Sequence, residues 1–392
     1  MKLIKNIGWY SLSQVISVVV PILVIPIIIS YIGVDGYGEL AFIQAKIAVL
    51  TIISNYGFEL SAPRWIISGK VCEQKVYATI QQVKISLYFI SALIFFVMFG
   101  FSFLNVVMVL YGLSVIALPN WYYLSKQKAK TLATLNAISK FFYLLLILAV
   151  FKIKPEIEVI ALCLAVSSFG VALYSNLKNI PNLAVLFVVD VNLAKKLIVD
   201  GFSFFKSRVA ISLYTNMNII VLGFFGSDFV VGIYTVAEKI YQAIQGLYRP
   251  IVNAVYPFLL QDFSIAIYRK IFTILNVVNV IGVLFCYIYS SLIVSWFDKV
   301  NTGEIVEIFN VFLLCILILL PSILLGHPYL GAKGKSKFVN DSIVIAAAFH
   351  LVMLFLLSVF NLVNAYNIAT LVLVTESTVL ILRTYKIWRK HA

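Results

Sequence analysis

The chain has 392 residues, of which 62% are hydrophobic and only 12% are charged, and its formal net charge is +14. Because a soluble domain is nearer to about half apolar and a quarter charged, this composition excludes an ordinary globular protein with one core surrounded by water. It predicts a membrane protein whose backbone polar groups are satisfied within its own helices.

About twelve apolar stretches follow one another, each long enough to cross about 30 Å of hydrocarbon as a helix. Because the apolar runs are continuous and do not alternate with polar residues, a transmembrane β-barrel is excluded. The turn between the third and fourth stretches is the least marked, with only Phe103 and Asn105 near it. In chain order the predicted spans are 9–32, 40–62, 81–102, 104–125, 131–151, 157–177, 203–225, 230–256, 271–296, 306–330, 338–360 and 365–385.

Lysine and arginine are unevenly distributed over the connecting segments. Of the 30 Lys and Arg residues, three lie on one side (Lys152, Lys154 and Lys299), four lie inside spans, and the remaining 23 are assigned to the other side, with Lys84 and Arg383 among them. Positive residues stay in the cytoplasm, which predicts a multi-pass membrane protein with both termini cytoplasmic. The net charge is then a topology signal with some attraction to anionic lipid, and it requires no nucleic-acid partner.

An internal repeat divides the chain into two halves. A shift of 193 residues without gaps aligns four pairs: Gly8 with Gly201, Gly33 with Gly226, Asp35 with Asp228, and Lys46 with Lys239. The repeat predicts two six-helix lobes of the same orientation, 1–178 and 203–392, related by an axis along the membrane normal. The joining segment 179–202 is charged and partly amphipathic, which predicts a cytoplasmic linker on the membrane surface.

Signatures of enzymes and of metal sites are missing. Gly334-Lys335-Ser336 looks like the end of a phosphate-binding loop, but Tyr329 stands where that loop needs a glycine. The three histidines and four cysteines are too dispersed for a metal site. The sequence therefore predicts a protein that is not an enzyme and that has no cofactor and no metal.

Charged residues inside the spans are the candidate functional residues, because each costs about 2.5 kcal/mol or more at the bilayer centre and should face a cavity or a partner. The basic ones, expected to line a cavity and bind substrate, are Lys46, Lys239, Arg249 and Lys140. The acidic ones, expected to serve in ion coupling or in salt bridges, are Glu59, Glu238 and Glu376. Structural alternatives remain for Arg249, which would pair with Glu376 or Glu59, and for Lys140, which would snorkel to the interface. Glu59 could instead be an interfacial residue at the inner end of span two, and the match of Lys46 with Lys239 could be structural or due to chance.

Several segments resemble the Wzx-type flippases of the multidrug/oligosaccharidyl-lipid/polysaccharide (MOP) exporter superfamily. They are Lys5-Asn-Ile-Gly-Trp-Tyr-Ser-Leu-Ser-Gln14, Gly33-Val-Asp-Gly-Tyr-Gly38, Asn55-Tyr-Gly-Phe-Glu-Leu-Ser-Ala-Pro-Arg64, Ala237-Glu-Lys-Ile240 and the stretch 248–257. Relatives that flip peptidoglycan precursor carry an Arg-Asp pair in the first helix. This chain has only uncharged residues from 8 to 30, which argues against that branch.

The resemblance implies a MATE-like fold and a multi-pass flippase of the bacterial inner membrane. Such a flippase moves a polyprenyl-pyrophosphate-linked oligosaccharide from the inner to the outer leaflet by alternating access. O-antigen repeat units are the first candidate cargo, and membrane lipids and other polysaccharide assembly proteins are the implied partners. A cationic cavity between the lobes fits this cargo, since a charged sugar head group cannot cross hydrocarbon unaided. Two alternatives stay open: a MATE-like small-molecule or cation antiporter, which would need acidic cavity residues, and a membrane-embedded polysaccharide polymerase or ligase, which would need a large outward loop.

Overall fold

A computed structural model of the chain describes residues 2–150, 156–179, 190–248 and 263–389, together with 252, 255, 256 and 259. Helices make up nearly all of this described part. In chain order they are α1 (Lys2–Asn55), α2 (Phe58–Ser68), α3 (Glu73–Phe99), α4 (Phe103–Ala117), α5 (Asn120–Ser125), α6 (Ala129–Val150), α7 (Ile157–Asn179), α8 (Val191–Phe225), α9 (Asp228–Gly246), α10 (Ile265–Ile288), α11 (Ser290–Ser295), α12 (Thr302–Leu324), a π-helical turn (Leu325–Gly331), α13 (Ser336–Val359) and α14 (Ala365–Trp388).

Nine helices of the described chain are long and apolar enough to cross a membrane. The first of them, Ile16–Ser68, covers predicted spans one and two. Gly33, with φ 72°, interrupts α1 between these two spans. The shorter apolar helix Thr215–Phe225 corresponds to span seven, and α9 to the first part of span eight. Five of the remaining residues of span eight, 249–251, 253 and 254, lie outside the described chain. The predicted fold class, an all-α membrane protein of about twelve spans, is confirmed.

A short polar motif forms the turn between α3 and α4. Gly100 ends α3 with φ 74°, and the Ser102 hydroxyl then caps α4 by accepting a hydrogen bond from the Asn105 backbone N–H at 3.1 Å. The Asn105 amide in turn donates to the carbonyl of Gly100 at 3.1 Å. The turn between predicted spans three and four therefore lies next to Phe103 and Asn105, as the sequence predicted.

Predicted span four is divided in two, which corrects the single helix expected over 104–125. Helix α4 ends at Ala117 and α5 begins at Asn120, with Leu118 and Pro119 between them. Proline disfavours helical geometry in the residue before it and has no N–H to continue the helix. The Ala117 carbonyl accepts hydrogen bonds from Gln81 Nε2 at 2.7 Å and from Asn176 Nδ2 at 2.9 Å, so α3 and α7 stabilise the break.

Two cations that the sequence analysis assigned to connecting segments are buried within helices of the described chain. Helix α3 begins at Glu73, before the predicted start at 81, and Lys84 is only 2% exposed. Arg383 lies in α14 and is 5% exposed. The ends of an apolar run mark the hydrocarbon region, whereas the helix continues beyond it, so a cation near that edge is buried when a neighbouring helix covers it.

The helices form two compact units. Unit 1 comprises Met1–Val24 and Phe42–Asn216, and unit 2 comprises Ile25–Ala41 and Met217–Ala392. The segment 25–41 thus groups with the second half of the chain, and the segment 203–216 groups with the first. The lobe and linker boundaries read from the repeat remain a prediction, and residues 180–189 of that linker lie outside the described chain.

In unit 1 a cluster of apolar and aromatic side chains joins α2, α3, α5 and the first turns of α8. Its buried members are Phe58, Ala62, Val76, Tyr77, Ile80, Trp121, Tyr122, Leu193 and Leu197. Burying an aromatic or leucine side chain contributes roughly 1.5–3 kcal/mol, so this cluster holds the amphipathic start of α8 against the spanning helices.

In unit 2 the second segment of α1 crosses the beginning of α9 at two glycines. A Cβ at Gly38 would lie 1.8 Å from the Asp228 carbonyl oxygen, and one at Gly232 would lie 2.3 Å from the Val34 carbonyl oxygen. The two contacts are reciprocal, and only glycine permits backbones to approach so closely. This crossing lies at the two turns that the sequence repeat aligned.

Candidate functional site

Each unit contains a group of interacting polar residues. In unit 1 we define the charged group as Glu59 on α2, Lys84 on α3 and Arg208 on α8. Glu59 pairs with Arg208 at 3.0 Å, and the same carboxylate acts electrostatically on the buried Lys84 ammonium group. Among the residues that the structure describes, these two cations share one carboxylate, so the three residues of the charged group carry a formal charge of +1.

In unit 2 we define the polar network as Asn218 on α8, Tyr234 and Glu238 on α9, His350 on α13 and Thr375 on α14. All five side chains are buried. Hydrogen bonds join them in one line from Thr375 to Glu238: His350 Nδ1 to Thr375 Oγ1 (2.7 Å), His350 Nε2 to Asn218 Oδ1 (2.8 Å), Asn218 Nδ2 to the Tyr234 hydroxyl (3.2 Å), and that hydroxyl to Glu238 Oε1 (3.4 Å).

The direction of these hydrogen bonds links the charge of His350 to that of Glu238. The Thr375 hydroxyl donates to the Leu371 carbonyl at 2.7 Å, so Nδ1 of His350 must be the donor to Thr375. With the Asn218 oxygen toward Nε2, that nitrogen also donates, and the histidine is a cation. The Tyr234 hydroxyl is then free to donate to an ionised Glu238. With the amide reversed, the histidine is neutral, the tyrosine donates to Asn218, and Glu238 must carry the proton.

The four basic residues predicted from the sequence have different surroundings. Lys46 is half-buried, with Nζ 4.0 Å from the centroid of the Phe42 ring and 4.5 Å from that of Phe99. Lys239, its mate in the repeat, is half-buried and donates to Gln242 Oε1 at 3.3 Å. Lys140 is half-buried on α6, whereas Arg249 lies outside the described residues.

The three acidic residues predicted from the sequence also have different surroundings. Glu59 is in the charged group of unit 1, and Glu238 ends the polar network of unit 2. Glu376 is buried on α14, next to Thr375 and within electrostatic range of Arg383. The Arg383 guanidinium donates to the Ser322 carbonyl at 2.7 Å and to the Ser342 hydroxyl at 3.2 Å, so this arginine ties α12 and α13 to α14.

Sequence reasoning missed several members of both groups, although part of the signal was present. Lys84 falls inside the predicted span 81–102 and His350 inside the predicted span 338–360, so both are titratable residues within an apolar run. Asn218, Tyr234 and Thr375 had no such signal, because neutral polar residues are common in spans and only their contacts distinguish them.

Comparison with known proteins places this architecture in a family. The chain matches the family described as "Polysaccharide biosynthesis protein" over residues 3–263. It is 26% identical over 394 residues to a protein of Shigella dysenteriae named "Putative O-antigen transporter", covering 95% of this chain and 96% of that protein. It is 24% identical over 280 residues to a protein of the same name from Escherichia coli (strain K12), covering 66% of this chain and 65% of the relative.

Solved structures of low sequence identity share the fold. The lipid II flippase MurJ in an inward closed conformation has a TM-score of 0.75 at 12% identity, with 96% of this chain and 87% of that chain covered. An inward-facing MATE transporter of the MOP superfamily has a TM-score of 0.61 at 12% identity, with 98% and 95% covered. The resemblance drawn from the motifs is thereby confirmed, as is the expectation of a transporter and not an enzyme. The chain belongs to the polysaccharide biosynthesis protein family and is a multi-pass membrane transporter with the fold of the MOP exporter superfamily.

Proposed function

We propose that the protein is a flippase that moves a polyprenyl-pyrophosphate-linked oligosaccharide, an O-antigen repeat unit, between the leaflets of the bacterial inner membrane by alternating access. Both termini lie in the cytoplasm, where the cargo is loaded. The two sequence relatives named as O-antigen transporters support this cargo. The similarity in fold to MurJ, which is named as a lipid II flippase, supports the proposal that this chain is also a flippase.

The observation that carries the proposal is the charged group of unit 1. Among the described residues, Lys84 and Arg208 share the carboxylate of Glu59, and Lys84 is buried in a protein that is otherwise largely apolar. An excess cation in such surroundings is costly unless an anion joins it. The pyrophosphate of a lipid-linked sugar would supply that anion, and charge-assisted hydrogen bonds to phosphate are among the stronger ones. Lys46, Lys140, Lys239 and Arg249 are proposed as further cations along the path.

The polar network of unit 2 is proposed as the coupling element, with a proton as the ion. One proton resides either on His350 or on Glu238, and the orientation of the Asn218 amide decides between them. Other titratable groups that face this network are Tyr37 and Lys239 near Glu238, and Cys315 near Tyr234. A proton gained at one end therefore changes hydrogen bonds on α8, α9 and α13 together, which is what a coupled conformational change requires.

A deletion strain tests the function. Loss of a flippase should make cells accumulate lipid-linked single repeat units on the inner leaflet, with less O-antigen on the surface, and the plasmid-borne chain should reverse both effects. A lysine exposed on the surface, changed as Lys70→Gln, provides a control that should restore export fully. If surface polysaccharide is unchanged and the strain becomes sensitive to cationic compounds, the antiporter alternative is correct and the flippase proposal fails.

A further inference from the structure

Unit 1 has a cavity outside both polar groups, between α2 and the first turns of α8. Its volume is about 650 Å³, and it is lined by Trp65 together with Asn192, Lys195, Lys196, Val199 and Asp200. Ligand sites in proteins commonly have volumes of about 300–1,000 Å³. The cavity is therefore large enough for a small head group, and two of its six lining residues are cations.

The helix that supplies most of this lining is amphipathic. Leu193 and Leu197 are buried in the apolar cluster of unit 1, with 6% and 1% of their surfaces exposed. Lys195 and Lys196 lie on the exposed face between them. The core contacts fix the orientation of the helix, so the two ammonium groups are presented to the surroundings by a rigid support.

The charges in the cavity are not balanced by its own carboxylate. Asp200 Oδ2 accepts a hydrogen bond from Trp65 Nε1 at 3.0 Å, which holds it against α2. Among the residues that the structure describes, neither lysine forms an ion pair with Asp200 or with another acid. The cavity thus offers two ammonium groups and the Asn192 amide to an incoming anion, whereas the indole N–H of Trp65 is already bonded to Asp200.

We infer that this cavity binds the phosphate-bearing head group of an anionic phospholipid. Basic pockets beside spanning helices at the cytoplasmic surface are suited to acidic head groups, because the lysines attract the phosphate while the acyl chains remain in the bilayer. The site is separate from the charged group of unit 1 and does not depend on the cargo. It anchors the amphipathic start of α8 to the membrane surface.

Neighbouring residues favour a lipid over a free anion as the occupant. Val191 and Val199 are 70% and 69% exposed on this helix. About two turns after Val199, the Lys206 ammonium group lies 5.1 Å from the centroid of the exposed Phe202 ring. On α2, Arg64 lies 4.9 Å from the Phe204 ring. Apolar and aromatic side chains alternating with cations are typical of the interface between head groups and acyl chains.

Lipid binding to the purified full-length chain tests the site. Phosphatidylglycerol or phosphatidylcholine is titrated into detergent-solubilised protein, and bound lipid is counted by native mass spectrometry. The double variant Lys195→Gln/Lys196→Gln should bind phosphatidylglycerol about tenfold more weakly or worse, because each lysine near a membrane surface contributes to the attraction. Asp200→Asn should bind it more tightly, since it removes the nearby negative charge but retains an acceptor for Trp65.

A matched control separates this cavity from the general positive charge of the protein. Lys70 and Lys75 are exposed residues of the same unit, and the double variant Lys70→Gln/Lys75→Gln removes the same two charges. It should bind phosphatidylglycerol like the unchanged chain. An equal loss in both double variants would overturn the assignment, because the binding would then be non-specific.

Soluble inorganic pyrophosphate distinguishes the two sources of phosphate. It should displace phosphatidylglycerol only at concentrations far above those of the lipid. If pyrophosphate binds as tightly as the lipid and depends on the same two lysines, the cavity is a site for a free anion and the lipid inference is wrong. Unfolding temperatures of all variants should agree with that of the unchanged chain, since every substituted lysine is exposed.

Discussion

The interiors of the two units differ in how completely their polar groups are paired. In unit 2 both ring nitrogens of His350 are hydrogen-bonded, and the line of partners continues from Thr375 to Glu238. In unit 1, several buried polar atoms have no hydrogen-bond partner within the described chain, namely Ser61 Oγ, Gln81 Oε1, Asn120 Oδ1 and Trp121 Nε1. Unit 2 also has two such atoms, Thr235 Oγ1 and Asn310 Oδ1, but neither belongs to its network.

This difference suggests different tasks. Buried polar atoms are usually paired, and exceptions point to water or to a ligand that completes them. Unit 1 combines such atoms with an excess cation, which suits the reception of a hydrated, anionic cargo. Unit 2 has a closed network whose protons can be redistributed without any ligand, which suits coupling.

The largest effect is expected at Lys84. Lys84→Gln should reduce O-antigen export about tenfold to a hundredfold, because a charge-assisted hydrogen bond to phosphate is worth about 1.5–3 kcal/mol. Lys84→Arg should restore part of the export, since it keeps the charge. Surface O-antigen is measured in the deletion strain at equal membrane abundance of the variants. Normal export by Lys84→Gln would remove the proposed difference between the units.

A stability test concerns the tight crossing of unit 2. Gly38→Ala should lower the free energy of unfolding by about 1–3 kcal/mol or more, because the new methyl group would overlap the Asp228 carbonyl. Gly282→Ala is the control, since nothing lies within 4 Å of a Cβ there. Thermal unfolding in detergent measures both. Equal unfolding temperatures would show that α1 and α9 do not cross as closely as described.

A smaller effect is expected from cutting the polar network in its middle. Tyr234→Phe keeps the ring but removes the hydroxyl that joins Asn218 to Glu238, at a cost of about 0.5–1.5 kcal/mol in unfolding free energy. Because the ends of the network are then disconnected, the pH dependence of export should change, while Lys70→Gln should leave it as it was. An unchanged pH profile of export in Tyr234→Phe would mean that this network does not couple a proton to transport.

The smallest stability effect is expected at the ion pair of unit 1. Glu59 and Arg208 have 31% and 46% of their side chains exposed, and such pairs contribute at most about 1 kcal/mol. Glu59→Gln should therefore unfold at nearly the same temperature as the unchanged chain. An export assay of Glu59→Gln then measures the effect of removing the negative charge without loss of stability. Export should be slower, because Lys84 and Arg208 no longer share a carboxylate and should retain the anionic cargo more tightly.

The class of this protein followed from local features of the sequence. Apolar runs of spanning length, the uneven distribution of lysine and arginine, and motifs such as 33–38 and 55–64 are all read without knowing which helices touch. They were sufficient for the fold class and the family, because the bilayer sets helix length and polarity independently of packing. They also pointed to Glu59 and Glu238 as buried or paired acids worth testing.

The arrangement of the candidate sites depended on contacts between residues far apart in the chain. His350 and Asn218 are 132 positions apart, and Gly38 meets Asp228 through a backbone contact that a sequence pattern does not contain. Lys84 and Arg383 were assigned to connecting segments because an apolar run does not show which neighbouring helix covers its end. The burial of a side chain and its partners are fixed only when helices pack. The tertiary structure alone therefore decided that Lys84 and Arg208 share Glu59 in one unit, and that hydrogen bonds join His350 to Glu238 through Asn218 and Tyr234 in the other.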